Sequence, residues 1–452
     1  MSIPRASQDI NLDLDKADVE LPIWKANFWF TIIVLMQVVD IMDRAAVSAV
    51  LPMLKKTFTL TDAQSGLVVS ILSLSIAIFA IPAALLADRW SRRKTVSLMV
   101  GLWSIATLGT GFAKSVPTLL AARFIVGTGE AGYLPVGYSF ISAWFPPKRR
   151  GTMIGIFHAA TPIGMAVGIL LAGHLAQAYG WRACFGILAI PGLILAVLAW
   201  FMPDFKTAVK EANKQESKNE PTQAKKAPVT VGSMFGYIFK SPAMFAAFLA
   251  FGCGLLSTNA LTAWGPTFFA RTYNMDVKHA ATAVAIASLL GFMGSPLFGK
   301  LGDVFIKRSS KGRIYAAALA GVLFIISILA GLQSALHGGS YMILLISWSL
   351  GIIFISGIGP NMGTLTQDLT PTHFRALAAG FIMIFNQLIG GVCGPLITGI
   401  VSDKYDLGHA LMIVCTISIL LVMIFLLISQ KYLHRDMTRR NEASQQFEVA
   451  HS

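Results

Sequence analysis

The stretch ALLADRWSRRK (84–94) returns in altered form as FGKLGDVFIKR (298–308), and that recurrence decides how the chain is divided. Asp88 falls on Asp303 and Arg93 on Arg308. The match extends both ways. Upstream, Pro52 lies on Pro266 and Asp62 on Asp276; downstream, after a short insertion, Pro135 lies on Pro360, Pro146 on Pro371, Arg150 on Arg375 and Gly155 on Gly380. The chain is two related halves in tandem.

Each copy closes an apolar run, and such runs dominate the sequence. Of 452 residues, 55% are hydrophobic and only 13% charged. Mean hydropathy is +0.66. Soluble domains carry roughly a quarter charged residues, so this composition belongs to a polytopic membrane protein. Windows of ~20 apolar residues, the length that crosses a bilayer core, fall near 27–52, 64–87, 95–113, 117–145, 151–178, 182–202, 241–270, 280–302, 314–333, 340–369, 376–401 and 408–429. Their length and continuity exclude barrel strands, which are short and alternate. The expected fold is an all-α membrane protein with twelve transmembrane helices in two six-helix halves. With an even number of helices, the second half starts on the same side as the first. The halves are then parallel repeats, with substrate bound between them at mid-membrane.

The expected segments are a tail (1–26), an N-terminal half (27–202), a polar linker (203–240), a C-terminal half (241–430) and a second tail (431–452). The first segment is polar and acidic and reads as a cytoplasmic tail without a signal peptide. Cys184, Cys253, Cys393 and Cys415 lie inside apolar runs, without metal-ligand spacing or a disulfide pattern, and read as small core residues.

The formal net charge is +14, a balance common among nucleic-acid-binding chains. Its placement argues otherwise. Arg89/Arg92/Arg93/Lys94, Lys148/Arg149/Arg150, Lys300/Lys307/Arg308/Lys311/Arg313 and Lys431/Arg435/Arg439/Arg440 all fall on one side, which the positive-inside rule makes cytoplasmic. Both termini and the linker are expected there, with the protein in a bacterial inner membrane. No nucleic-acid partner is expected.

Charges also stand where the bilayer should be. VVDIMDRAAVSAVLP (38–52) carries Asp40, Asp43 and Arg44, and LLAARFIVGTGEAGYLP (119–135) carries Arg123 and Glu130. Each mid-bilayer charge costs about 2.5–3.5 kcal/mol on insertion scales, so these must pair or line a wet cavity. Asp40 and Arg44 are spaced i,i+4 and can pair, while Asp43 points elsewhere. Arg123 and Glu130 share a helical face, and Gly127 and Gly129 allow close approach of a neighbouring helix. His158 in GIFHAATPIG adds another polar group.

Three carboxylates against two arginines leave one negative charge in excess. One carboxylate is expected to be protonated at rest, since an ionised carboxylate is costly to bury. That arrangement suits proton-coupled anion transport: an anionic substrate competes for Arg44 and the released carboxylate takes a proton. Arg44 is expected to anchor substrate, with Tyr133 and His158 beside it, and Asp43, Glu130, Asp40 and Arg123 to handle protons. The C-terminal half offers neutral groups, Asn259, Trp264, Asn361, Asn386 and Gln387, for hydrogen bonding and shape. No nucleotide-binding loop, metal spacing or nucleophile–base pair occurs, so neither enzymatic activity nor a cofactor is expected, and the proton gradient is the expected driving force.

ALLADRWSRRK and its copy resemble the loop signature between the second and third helices of the major facilitator superfamily, although Ala84 and Ser91 replace its usual glycines. That resemblance makes Asp88, Arg89, Arg92 and Arg93, with Asp303 and Arg308, an expected conformational latch. DRAAVSAVLP, GEAGYLP and WFPPKRRG resemble the anion:cation symporter family, which moves sugar acids and other organic anions with protons. The same blocks are similar to bacterial spinster-type proteins, whose animal relatives move lysolipids and sphingolipids. Both resemblances imply roles in coupling and substrate binding for Asp43, Arg44 and Glu130. The expected function is symport of a small organic anion with protons, by a functional monomer in a lipid bilayer. The alternatives are a spinster-like carrier of an anionic amphipathic lipid and a non-transporting receptor or scaffold.

Overall fold

The computed structural model describes residues 21–204, 236–371 and 374–449. Most of the first tail and of the linker lie outside them. The described residues are helical throughout the apolar runs. In the first half these helices are α1 (Ile23–Phe58), α2 (Asp62–Arg89), α3 (Arg92–Gly111), α4 (Val116–Glu130), α5 (Tyr133–Trp144) and α6 (Pro147–Trp200). The second half contains α7 (Pro242–Tyr273), α8 (Val277–Gly291), α9 (Gly294–Ile306), α10 (Gly312–Leu336), α11 (Tyr341–Ile355), α12 (Ile358–Asp368), α13 (Arg375–Phe385), a π-helical segment (Asn386–Cys393), α14 (Gly394–Ser402) and α15 (Leu407–Val449).

These elements make twelve crossings. Eight of the described helical stretches suit a membrane on length and composition alone, and one of them, Lys148–Trp200, is double. Gly180, at φ 82°, splits it in two; a side chain there would be strained. The remaining crossings are α1, α3 and the broken pair α4–α5. Local chemistry sets several starts: Thr61 with Gln64 and Ser115 with Thr118 form capping boxes at α2 and α4.

Small residues bring the helices together. A Cβ at Gly127 would lie 2.4 Å from the Leu72 carbonyl oxygen of α2, and one at Gly129 2.7 Å from the Trp103 amide of α3. Both glycines thus allow the close approach expected of them. Gly164 and Gly168 of α6 do the same against Val38 and Met42 of α1. The charged stretch of α1 is thereby pressed into the N-terminal half.

The two halves meet at the end opposite the linker. Arg271 of α7 donates twice to the Asp62 carboxylate, at 2.7 and 2.9 Å, and Ser402 donates to it at 2.7 Å. Lys55 adds a second cationic group at 2.5 Å from within the first half. Asp403 in turn accepts from the Asp62 and Ala63 amides, at 2.7 and 2.9 Å, covering the start of α2. Deeper along the same seam, Ser70 donates to the Val392 carbonyl at 2.7 Å.

At the linker end, polar ties run within each half. Arg93 donates to the Met202 carbonyl, and Arg313 meets Asp303 and Asp368, each at 3.2 Å. The expected C-terminal tail continues α15 as helix to Val449. Its Asp436 is fully buried and accepts from the Ala243 amide in the first turn of α7 at 2.7 Å. Arg440 donates to the Asp368 carbonyl at the end of α12. Replacing Asp436 by alanine should cost about 1–2 kcal/mol, as loss of a helix cap does. The expected outcome is a lower Tm in detergent with transport retained; an unchanged Tm would show that the cap carries no stability.

Candidate functional site

The charges of α1 and α4 form two linked groups between their helices. Arg44 reaches Asp40 one turn below it, at 3.0 Å, and Glu130 of α4, at 2.9 Å. Asp43, turned away on the same helix, lies 3.7 Å from Arg123 and accepts a short hydrogen bond from Thr107 of α3. One arginine is thus shared by two carboxylates, and the other serves a third.

Exposure separates the two groups. The side chains of Asp43 and Arg123 are only 4% and 2% exposed, and those of Asp40 and Glu130 3% and 0%, whereas that of Arg44 is 27% exposed. Water or a solute can therefore reach Arg44 while its carboxylate partners stay covered. Although Arg44 Nε and Glu130 Oε2 are close, their angle is not that of a hydrogen bond, and Glu130 Oε1 also has no hydrogen-bond partner among the described residues. Charge rather than aligned donors holds Glu130 to Arg44. That contact can be exchanged for a better-aligned anion.

The other expected residues divide by location. Tyr133 is 1% exposed; its hydroxyl donates to the Ile33 carbonyl, and its ring packs on Trp103 and Phe157. Trp264 is fully buried and donates to the Pro395 carbonyl at 3.0 Å. Asn361, also fully buried, ties the Phe298 and Gly357 carbonyls together at 2.9 and 3.0 Å. These three, expected at the substrate, are placed inside the packing of their own halves. Their polar atoms are spent on backbone carbonyls of neighbouring or adjoining helical segments, which a sequence pattern does not distinguish from ligand contacts.

Asn259, Asn386 and Gln387 are gathered at the π-helical segment, where Gly390 and Gly394 let Asn259 approach and Gly391 faces Ser73 of α2. Asn386 Oδ1 is buried without a hydrogen-bond partner among the described residues. π-Helical turns are often found at functional sites. His158 is exposed, with Nε2 2.7 Å from the Tyr138 hydroxyl.

At the expected latch, the side chains of Asp88 and Arg89 lie outside the described residues. Arg313, rather than Arg308, stands opposite Asp303, while Arg308 is exposed. Sequence reasoning missed Thr107, which is uncharged on an otherwise unremarkable span, and Arg313, which sits past the repeated motif. It also missed the Asp62–Arg271 tie, whose partners come from different halves.

Two six-helix bundles joined at one end, with a charged cluster buried between helices, are the architecture of a membrane transporter. The chain belongs to the Major Facilitator Superfamily, whose family model matches residues 33–395. It is similar to the hexuronate transporter of Bacillus subtilis (strain 168), at 27% identity over 371 residues, covering 81% of this chain and 86% of the relative. A probable galactarate/D-glucarate transporter of the same organism is 26% identical over 430 residues, covering 88% and 91%. Among solved structures, a bacterial homolog of the human lysosomal transporter Spinster, in an inward-facing and unoccupied conformation, superposes with a TM-score of 0.78 at 20% identity, covering 91% of this chain and 98% of that one. Membership sets the chain among transporters and not enzymes.

Proposed function

We propose that the protein carries a small organic anion, a carboxylate or sugar acid, together with protons. The observation behind this reading is a single partly exposed guanidinium, Arg44, shared by the buried carboxylates Asp40 and Glu130. A carboxylate substrate offers Arg44 two aligned acceptors and displaces Glu130. The freed carboxylate, buried and without its cation, takes a proton, because an unpaired buried charge costs several kcal/mol. Substrate and proton then travel together. Similarity to transporters named for hexuronate and galactarate supports this substrate class.

In this reading the linker and both termini face the cytoplasm, as the basic clusters favour, in a bacterial inner membrane. The proton gradient drives a monomer without a cofactor. The tie at Asp62, Arg271, Ser402 and Asp403 is then the closed outer gate. The test of function is uptake in proteoliposomes under an imposed pH gradient, screening sugar acids, dicarboxylates, aromatic acids and lysolipids. Gradient-driven uptake of acids supports the reading; uptake confined to lysolipids replaces it with a spinster-like lipid carrier that uses Arg44 for an anionic head.

The gate makes its own prediction. Arg271 is 38% exposed, so solvent screening discounts its ion pair, and Arg271→Ala should shift the balance toward outer opening by about 1 kcal/mol. A cysteine at Ser70, in a background lacking Cys393, should then react faster with a membrane-impermeant thiol reagent added outside. Unchanged labelling would remove Arg271 from the gate.

A further inference from the structure

His158 projects from one face of α6 that behaves differently at its two ends. Gly155 and Gly173 lie on the same side of this helix, since their separation of 18 residues is about five turns. A Cβ at Gly173 would stand 2.5 Å from the Ala281 Cβ of α8, in the other half, while one at Gly155 or Gly151 would meet nothing within 4 Å. One face is therefore closed on the other half at the outer level and open at the linker level. His158 is within one turn of Gly155 and two of Gly151, on the opened part. It lines the crevice between the halves.

Tyr138 reaches His158 from α5, at 2.7 Å, and is itself only half-buried. Eight residues separate it from Glu130 along the broken fourth crossing, which is about 12 Å of helix rise toward the linker. Arg44 hangs on Glu130 at one end of that interval and the Tyr138–His158 pair stands at the other. Between them the crevice has a cation at one pole and a hydroxyl–imidazole pair at the other.

Resting on the organic-anion reading, we propose that Tyr138 and His158 form the second pole of the substrate site and select elongated polyhydroxy acids. The carboxylate sits on Arg44, and the hydroxyl or second carboxylate at the far end of the chain bonds to the pair. Between them the hydroxyl and the imidazole offer both donors and acceptors, which matches the chemistry of sugar hydroxyls. A site built around such groups discriminates against ligands too short to meet them, because its polar atoms then go unpaired.

The test is equilibrium binding of glucuronate, gluconate, galactarate and the short acid glycerate to purified full-length protein in nanodiscs. His158→Ala should weaken the best-bound long acid by about ten-fold, or about 1.4 kcal/mol, and leave glycerate within about two-fold. Tyr138→Phe, which removes one hydroxyl, should move the same ratio in the same direction and guards against misfolding of the alanine variant. His158→Gln, which keeps a donor and an acceptor, should restore part of the difference. If the variants weaken long and short acids alike, or neither, the second pole is wrong while the anion site stands. If the wild type binds none of these acids, the organic-anion reading falls and takes this inference with it.

Discussion

Arg44→Lys should weaken substrate binding by more than about a hundred-fold. The variant keeps a positive charge next to Asp40 and Glu130, so the buried carboxylates remain compensated. What it loses is the planar fork that presents parallel donors to a carboxylate. Lysine is also a compact, strongly hydrated charge that must shed water to serve two buried carboxylates and a substrate at once. Breaking a buried pair of this kind costs about 3–5 kcal/mol; with charge retained, a loss of about 3 kcal/mol, more than a hundred-fold in Kd, is expected. Calorimetric binding to purified protein reads it directly, with elution as a monodisperse species as the folding control. Binding at wild-type affinity would take Arg44 out of the substrate site.

Glu130→Gln should separate carriage from coupling. Glutamine has nearly the shape of protonated glutamate, so the variant mimics the loaded side chain while removing its ability to give up a proton. Substrate should bind within a few-fold of wild type, because the anion no longer competes with a carboxylate at 2.9 Å from Arg44. Counterflow exchange should persist, while accumulation under a pH gradient should fall to an inside-to-outside ratio of about one, since substrate movement is no longer linked to protons. Accumulation with normal proton dependence would exclude Glu130 as the coupling group. Asp40→Asn is the informative companion, because Asp40 is the second carboxylate on the same arginine.

These expectations differ from a reading of the sequence in one respect. The spacing of Arg123 and Glu130 puts both on one face of the fourth crossing, and the structure uses that face twice, sending Arg123 to Asp43 and Glu130 to Arg44. Asp43, expected to handle protons, is held by Arg123 and Thr107, while Asp40 stands with the accessible arginine. A role for Asp43 in proton handling is therefore proposed through Arg123 rather than through direct contact with Arg44.

What the sequence determined by itself is whatever depends on one helix or one repeat. Apolar length set the crossings, because a bilayer core demands a minimum run. The duplicated ALLADRWSRRK stretch set the division into halves, and the Asp40–Arg44 spacing set their pairing through the pitch of a single helix. The tertiary structure decided everything that needs two helices. Lipid-facing and buried faces of a membrane helix are both apolar, so periodicity that would reveal the inward face in water is silent here. Tyr133, Trp264 and Asn361 read as cavity residues for that reason, and only packing showed them turned inward against carbonyls. Likewise Arg271 finds Asp62 across the two halves where close approaches such as Gly66 against Pro395 and Gly399 against Asp62 bring their helices together, and no pattern within one helix announces them.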